Sequence, residues 1–205
     1  MVVMLSESGW QMCWSLPSRR RVLFFGVAFL YACGFALTQP VLPFLAKTVS
    51  APDDRGLFFG VVLGCYPLAK APMVPLVGHA SDRLGHRAVL ATSLVALAGS
   101  FALTITATGY TGLLLCRLLT GVAGANGALL HAWIPKLAHP EDHILFFADL
   151  SMAWSIAYVV GKYAVPLLGE QHTTCFAMGA SSVLGAAALV LLTFWLPSDS
   201  VADDG

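Results

Sequence analysis

Three basic residues, Lys70, Arg117 and Lys162, lie inside long apolar stretches of the sequence. A charge in hydrocarbon costs at least about 2.5–3.5 kcal/mol unless it faces protein or water, so such residues are candidates for binding or conformational roles. Lys70 follows Tyr66 by four residues, which places both on one face of a helix. The ammonium group would suit an anionic group of a small molecule. The alternative is that Lys70 extends towards a lipid–water boundary.

Arg117 and the uncharged Asn126 lie in the same apolar stretch, and both are candidates. Arg117 lies about 10 Å deep in its apolar stretch, given the rise of an α-helix, and is either functional or a hydrogen-bonded structural arginine. Asn126 comes nine residues later, half a turn out of phase. On a regular helix one of the two faces a substrate path and the other packs against a neighbour. The complete set of substrate-path candidates is Gln39, Tyr66, Lys70, Asn126 and Lys162.

Composition narrows the class of protein. Of the 205 residues, 58% are hydrophobic and 11% are charged, and mean hydropathy is +0.78, values typical of multi-pass membrane proteins. The formal net charge of zero predicts no nucleic-acid partner. The five cysteines show no pairing or metal-ligand spacing. No motif for a metalloprotease, a phosphate-binding loop or a serine nucleophile is present, so we predict neither an enzyme nor a cofactor.

Six apolar stretches are each long enough to cross a bilayer, and all are expected to be helices because lipid leaves an open sheet edge unsatisfied. They make a predicted bundle over residues 21–197, between a cytoplasmic tail at 1–20 and an acidic cytoplasmic tail at 198–205. The predicted spans are Val22–Leu45, Gly56–Val77, Ala88–Ala107, Tyr110–Ile134, Ile144–Leu168 and Cys175–Leu196.

Loop charges predict the orientation of the bundle. With the N-terminus inside, the cytoplasmic side holds six basic residues, Arg19, Arg20, Arg21, Arg83, Arg87 and Lys136. The opposite side holds two, Lys47 and Arg55. Because cytoplasmic loops are enriched in Lys and Arg, both termini are expected in the cytoplasm.

A short polar segment separates the second and third stretches. Its glycines predict a tight turn. Five of its residues form a pattern of fixed spacing, namely Gly78, Asp82, Arg83, Gly85 and Arg87. This segment resembles the signature loop between helices 2 and 3 of the major facilitator superfamily, and departs from it at His86, where the family usually has an arginine. The resemblance implies one half of a major facilitator fold, an all-α bundle built as a 3+3 inverted repeat. It also implies that Asp82 latches onto the opposite half.

Further motifs resemble the N-terminal half of tetracycline and other drug:proton antiporters. Arg117, Gly121 and Gly124 resemble the span-4 motif of that group, in which the arginine is thought to serve the proton-linked cycle. The glycines also permit close helix packing, and we favour that interpretation for them. Gly161, Pro166 and Gly169 match a span-5 motif in which Val165 and Glu170 replace glycines. Tyr31 stands where relatives often carry an aspartate, and Asp149 is too shallow to replace it.

The resemblance implies a secondary active transporter that exports a small organic molecule, with proton coupling. The expected partners are the lipid bilayer, a small-molecule substrate, and either a second half or a second copy of the chain. The alternative is a truncated or non-transporting membrane interaction protein, because the substrate cavity of the family lies between two six-helix halves.

Overall fold

The computed structural model describes residues 19–49, 55–107, 109–138, 140–165 and 173–195. The predicted tails therefore lie outside the described residues, apart from the backbone of Arg19 and Arg20. Within these ranges the secondary structure is helical, with a short 3₁₀ turn at Pro140–Asp142. The α-helices are α1 (Arg19–Thr38), α2 (Leu42–Val49), α3 (Arg55–Leu84), α4 (His86–Thr106), α5 (Gly109–Ala123), α6 (Asn126–Leu137), α7 (His143–Ala164) and α8 (Thr173–Trp195).

These helices form six candidate membrane spans, as the sequence predicts. Spans 2, 3, 5 and 6 correspond to α3, α4, α7 and α8, while span 1 joins α1 to α2 and span 4 joins α5 to α6. The spans are Arg21–Leu45, Gly56–Leu84, His86–Thr106, Gly109–Leu137, Pro140–Tyr163 and Cys175–Phe194. The protein is thus an integral, multi-pass membrane protein.

Spans 1 and 4 are interrupted helices, which the sequence analysis did not predict. Span 1 breaks at residues 39–41, where Pro40 has no N–H to donate to the helix. Span 4 breaks at residues 124–125, where the Gly124 N–H bonds to the Gly121 carbonyl at 3.0 Å. The regular hydrogen bonding of α5 therefore stops before α6 begins at Asn126.

The packing pattern divides the bundle into two related triplets of spans. Span 1 packs against spans 5 and 6, span 4 packs against spans 2 and 3, and spans 3 and 6 pack against each other. Exchanging spans 1–3 with spans 4–6 reproduces the same set of neighbours. This is the arrangement of a 3+3 repeat in one half of a major facilitator fold.

Spans 1 and 4 lie at the centre of the bundle. Of their most apolar segments, 56% and 61% of residues are buried, compared with 6% for span 2. The core contains large side chains from spans 1, 3, 4, 5 and 6, including Phe24, Leu94, Phe101, Trp133, Leu150 and Leu192. The buried hydrophobic residue of span 2 among those described is Val62. Most of the surface of span 2 is therefore not covered by the other described residues.

The sequence analysis predicted a loop over the whole signature segment, and this predicted length is wrong. Helix α3 continues through Gly78, Asp82 and Arg83 to Leu84, and α4 begins at His86. Gly85 alone makes the turn. Its backbone φ is 88°, a value that residues other than glycine rarely adopt. Gly78 is helical, and a Cβ there would have no neighbour within 4 Å. The end of the bundle that holds Gly85 is called the loop end below, and the opposite end the far end.

Candidate functional site

Tyr66, in the middle part of span 2, lies against the two glycines of the span-4 motif. A Cβ on Gly121 would stand 2.6 Å from the Tyr66 carbonyl oxygen, and one on Gly124 would stand 2.8 Å from the Tyr66 hydroxyl. Both separations are shorter than any side chain tolerates. The two glycines therefore let span 4 approach span 2 and leave the space that the Tyr66 side chain occupies.

The Tyr66 ring continues into a cluster of aromatic side chains from spans 1, 2 and 5. The centroid of Phe35 lies 5.2 Å from that of Tyr66, 6.0 Å from that of Trp154 and 6.4 Å from that of Tyr158. Trp154 and Tyr158 stack with centroids 5.8 Å apart. These separations are typical of attractive aromatic pairs. We call Phe35, Tyr66, Trp154 and Tyr158 the aromatic wall; Phe35 is buried and the other three are half-buried.

Tyr31 lies behind the aromatic wall, at the position where the sequence analysis noted the absence of an aspartate. Its ring meets Trp154 edge-on with centroids 5.3 Å apart, and only 2% of its surface is exposed. Tyr31 therefore supports the wall from the core of the bundle.

Two of the predicted cations flank Tyr66. The Lys70 ammonium nitrogen lies 5.7 Å from the centre of the Tyr66 ring, and Lys70 is half-buried. Arg117 is 3% exposed and lies one helical turn before Gly121, which packs against Tyr66. Within the described residues neither cation has a carboxylate partner, and Arg117 makes no hydrogen bond. Two positive charges thus lie beside the aromatic wall without an opposing charge from the described chain.

Asn126 lies in a different environment, facing span 3. It is fully buried, and its side-chain oxygen accepts a hydrogen bond from the Ser93 hydroxyl. Its amide nitrogen and the Trp133 indole nitrogen have no partner among the described residues. The break in span 4 separates Asn126 from Arg117, so the phase expected for one regular helix does not apply. Asn126 therefore contacts span 3 through Ser93, and its role in a substrate path stays a prediction.

The other two substrate-path candidates lie towards the far end. Gln39 is half-buried at the break in span 1. Lys162 is exposed and follows Tyr158 by four residues on α7, hence on the same side of that helix. The neighbouring Gly161 permits close packing, since a Cβ there would stand 2.7 Å from the Ala36 Cβ. Pro166 and Gly169 of the span-5 motif lie outside the described residues.

The signature segment ties the loop end together. Asp82 accepts a hydrogen bond from the Lys136 ammonium group at 3.0 Å, and both side chains are exposed. Arg87 donates to the Thr193 carbonyl at 2.5 Å, which links span 3 to span 6. Arg83 is exposed. In this conformation Asp82 is therefore bonded to span 4 of its own unit.

A second ion pair joins spans 1 and 5 near the loop end. The guanidinium group of Arg21 bonds to both carboxylate oxygens of Asp149, through Nε to Oδ2 and through Nη2 to Oδ1, the latter at 2.9 Å. The side chains are 22% and 13% exposed. An open cavity of about 190 Å³ adjoins the pair and is lined also by Val22, Phe25 and Met152. The sequence analysis counted Arg21 only as a loop charge.

Sequence reasoning missed three members of the aromatic wall, namely Phe35, Trp154 and Tyr158. Aromatic residues are common in apolar helices, so their type alone gave no signal. The spacing of Trp154 and Tyr158, four residues apart beside a lysine four residues further on, was the available clue. Among the described residues no cluster of His, Cys, Asp and Glu is arranged to hold a metal ion.

The architecture defines a class of protein before any comparison is made. Six spans packed as two triplets, with charged and aromatic side chains in mid-bundle, form the half-unit of secondary transporters. The sequence profile of the Major Facilitator Superfamily matches residues 24–204. The chain belongs to that superfamily.

Characterised relatives agree with this assignment. The class C tetracycline resistance protein of Escherichia coli is 32% identical over 148 residues, which cover 72% of this chain and 37% of that protein. The mouse major facilitator superfamily domain-containing protein 10 (Mus musculus) is 33% identical over 135 residues, covering 64% of this chain and 29% of that protein. The chain spans less than half the length of either relative.

A solved structure has the same fold. The crystal structure of the human organic anion transporter MFSD10 (TETRAN) superposes with a TM-score of 0.77 over 90% of this chain and 49% of that one, at 24% identity. The similarity supports the helical arrangement described above. Again the chain corresponds to about half of the larger protein.

Proposed function

We propose that this six-span unit forms part of a secondary active transporter that exports a small organic molecule. The observation that carries the proposal is the aromatic wall with Lys70 and Arg117 beside it. Three wall residues are half-buried, so part of their surface stays exposed in this unit. Substrate sites of secondary transporters lie near the bilayer midplane at the interface of the repeats. Organic ligands are generally held by apolar and aromatic surfaces with a few polar groups.

We propose further that transport is coupled to protons. The support is the resemblance of Arg117, Gly121 and Gly124 to the span-4 motif of drug:proton antiporters, together with the tetracycline resistance relatives. Among the described residues, Asp149 is the carboxylate that lies largely buried inside a span. Its pairing with Arg21 would have to change before it could take part in proton exchange.

A second six-span unit would complete the transporter. Most of span 2 is uncovered, including Leu57, Leu68 and Leu76, which are 77%, 75% and 61% exposed. Gly60 and Gly64 on the same helix have no neighbour within 4 Å of a Cβ position. Small residues at this spacing suit close contact with another helix in lipid. The partner is either a separate second half or another copy of this chain.

The test is flux through the purified chain in liposomes prepared at a protein density that permits pairing. The probes are tetracycline, 1-naphthoate and 1-naphthylmethylammonium, each with and without an imposed pH gradient. We expect gradient-dependent accumulation of at least one probe, and its loss in Lys70→Leu. Protein-free liposomes and the exposed-site variant Cys175→Ala serve as controls. Absence of flux for every probe, in samples shown to contain paired units, contradicts the transporter proposal.

The alternative is a membrane interaction protein without transport activity. One observation favours it, namely that the uncovered face of span 2 is large and carries the Gly60 and Gly64 pair. Under this alternative the units would associate through span 2, and the aromatic wall would serve packing alone. Stable association without flux of any probe supports it.

A further inference from the structure

We infer that the aromatic wall, with Lys70 and Arg117, forms a binding site for an organic anion that carries an aromatic ring. The inference rests on the proposed function, because it names the substrate class of that same site. The anionic group would lie beside Lys70, and the ring would lie on the half-buried surfaces of Trp154 and Tyr158. Tyr66 connects the two parts, with Lys70 on its ring and Phe35 at 5.2 Å.

The charges define the sign of the ligand. Lys70 is half-buried beside the Tyr66 ring and Arg117 is 3% exposed, and neither forms an ion pair with a described carboxylate. A buried charge without a counter-charge is strongly unfavourable, and an anionic ligand would supply the missing charge. Lys70 is the more accessible of the two and is suited to direct contact. Arg117, which is almost fully buried, would contribute through its field.

The aromatic side chains define the body of the ligand. Trp154 and Tyr158 stack at 5.8 Å and are only half-buried, so both retain surface on which a flat ring can lie. Phe35 and Tyr31 fix them from behind, at 6.0 Å and 5.3 Å from Trp154. The wall is therefore rigid and needs little ordering when a ring binds.

An aromatic wall alone would also attract cations, through the negative faces of its rings. The arrangement here opposes that outcome. The ammonium group of Lys70 already lies over the Tyr66 ring at 5.7 Å, and Arg117 adds a second positive charge one turn before Gly121, which packs against Tyr66. A ligand cation at the wall would be repelled by both. An anion of the same size and shape is attracted by both.

The test is equilibrium binding to the purified 205-residue chain in nanodiscs of neutral lipid. Three probes separate charge from ring: 1-naphthoate, 1-naphthylmethylammonium and cyclohexanecarboxylate. We expect 1-naphthoate to bind at least about tenfold more tightly than either of the others, after subtraction of binding to empty nanodiscs. Lys70→Leu is expected to weaken 1-naphthoate binding about tenfold. Arg83→Gln, an exposed cation on the same helix, is the matched control and is expected to leave binding unchanged.

A second variant keeps the test independent of folding. Trp154→Leu retains an apolar side chain and is expected to weaken 1-naphthoate binding while leaving that of cyclohexanecarboxylate unaltered. Equal or tighter binding of 1-naphthylmethylammonium, or unchanged 1-naphthoate binding in Lys70→Leu, overturns the inference. Anion-selective binding without flux upholds this site and contradicts the transporter proposal. Flux without anion preference supports the transporter proposal and contradicts the anion site.

Discussion

At the scale of single residues, Gly124 determines where the Tyr66 ring can lie. Gly124→Ala would place a Cβ 2.8 Å from the Tyr66 hydroxyl and 2.9 Å from the Tyr66 Cε2 atom. Because the contact is with the rigid tyrosine ring, the ring must leave its place against span 4. We expect a loss of about 1–3 kcal/mol in the free energy of unfolding, typical of overpacking in a helical interface. Thermal unfolding of the detergent-purified variant measures the loss.

The matched control for this prediction is Gly99→Ala. Gly99 lies within α4, on its exposed side, and has no atom within 4 Å of a Cβ position. Alanine is the better helix former, so this variant should unfold at or above the temperature of the parent chain. If both alanine variants unfold like the parent, Tyr66 is not confined by Gly124.

At the scale of elements, the pair of Arg21 and Asp149 fastens span 5 to span 1 near the loop end. Asp149→Asn removes the charge that compensates the largely buried guanidinium group. Hydrogen bonds to charged groups are worth about 1.5–3 kcal/mol, and we expect destabilisation of that order. Denaturant unfolding in mixed micelles gives the value. The charge-exchanged double variant Arg21→Asp with Asp149→Arg should recover part of it, and a lack of any recovery would argue against a direct pair.

The Asp82–Lys136 pair provides the contrast within the same bundle. Its side chains are 67% and 50% exposed, and exposed pairs contribute little to stability. Asp82→Asn should therefore insert and unfold almost like the parent chain. We expect it to slow conformational cycling instead, because the signature segment connects spans 2, 3, 4 and 6 at the loop end. Unchanged flux in a transporting sample would exclude a role for Asp82 in the cycle.

Much of the element-level structure could be predicted from the sequence, because long apolar stretches in lipid have only one common solution. The six spans and their approximate limits follow from length and hydropathy. The break at Gly124 could not be predicted, since glycine is tolerated within membrane helices. Nor could the continuation of α3 to Leu84, because glycine and polar residues favour turns but do not require them. The positive φ at Gly85 could not be predicted either, because it depends on how spans 2 and 3 pack in the folded bundle.

Of the candidate site, the two cations and Tyr66 could be predicted from the sequence. Lys70 and Arg117 were identified because charges are rare in apolar stretches. The aromatic wall depends on which faces of spans 1, 2 and 5 meet, and these spans lie far apart in sequence. The contact of Asn126 with Ser93 was equally unpredictable, because it also forms across two spans. Its place in a substrate path stays a prediction.

At the scale of the whole molecule, the loop end should face the cytoplasm. The prediction rests on the excess of basic residues at that end, six against two. In a cysteine-free background, Leu84→Cys lies at the loop end and Thr106→Cys at the far end, and both positions are exposed. A membrane-impermeant thiol reagent added outside intact cells should label only Thr106→Cys. Labelling of Leu84→Cys instead would invert the topology.

The final prediction is that one unit alone does not transport. Alternating access requires two bundles that move about a shared site. One unit supplies one side of that site, where Lys70 is half-buried. Span 2, buried over only 6% of its most apolar segment, offers the surface for a second bundle. We therefore expect flux only in samples in which crosslinking detects paired units. Gly64→Leu adds a larger side chain to that surface and should lower both the flux and the yield of crosslinked pairs. Leu103→Ala, at an exposed position on span 3, is the control. Flux from a demonstrated monomer would refute the prediction, because a single unit would then contain a complete path.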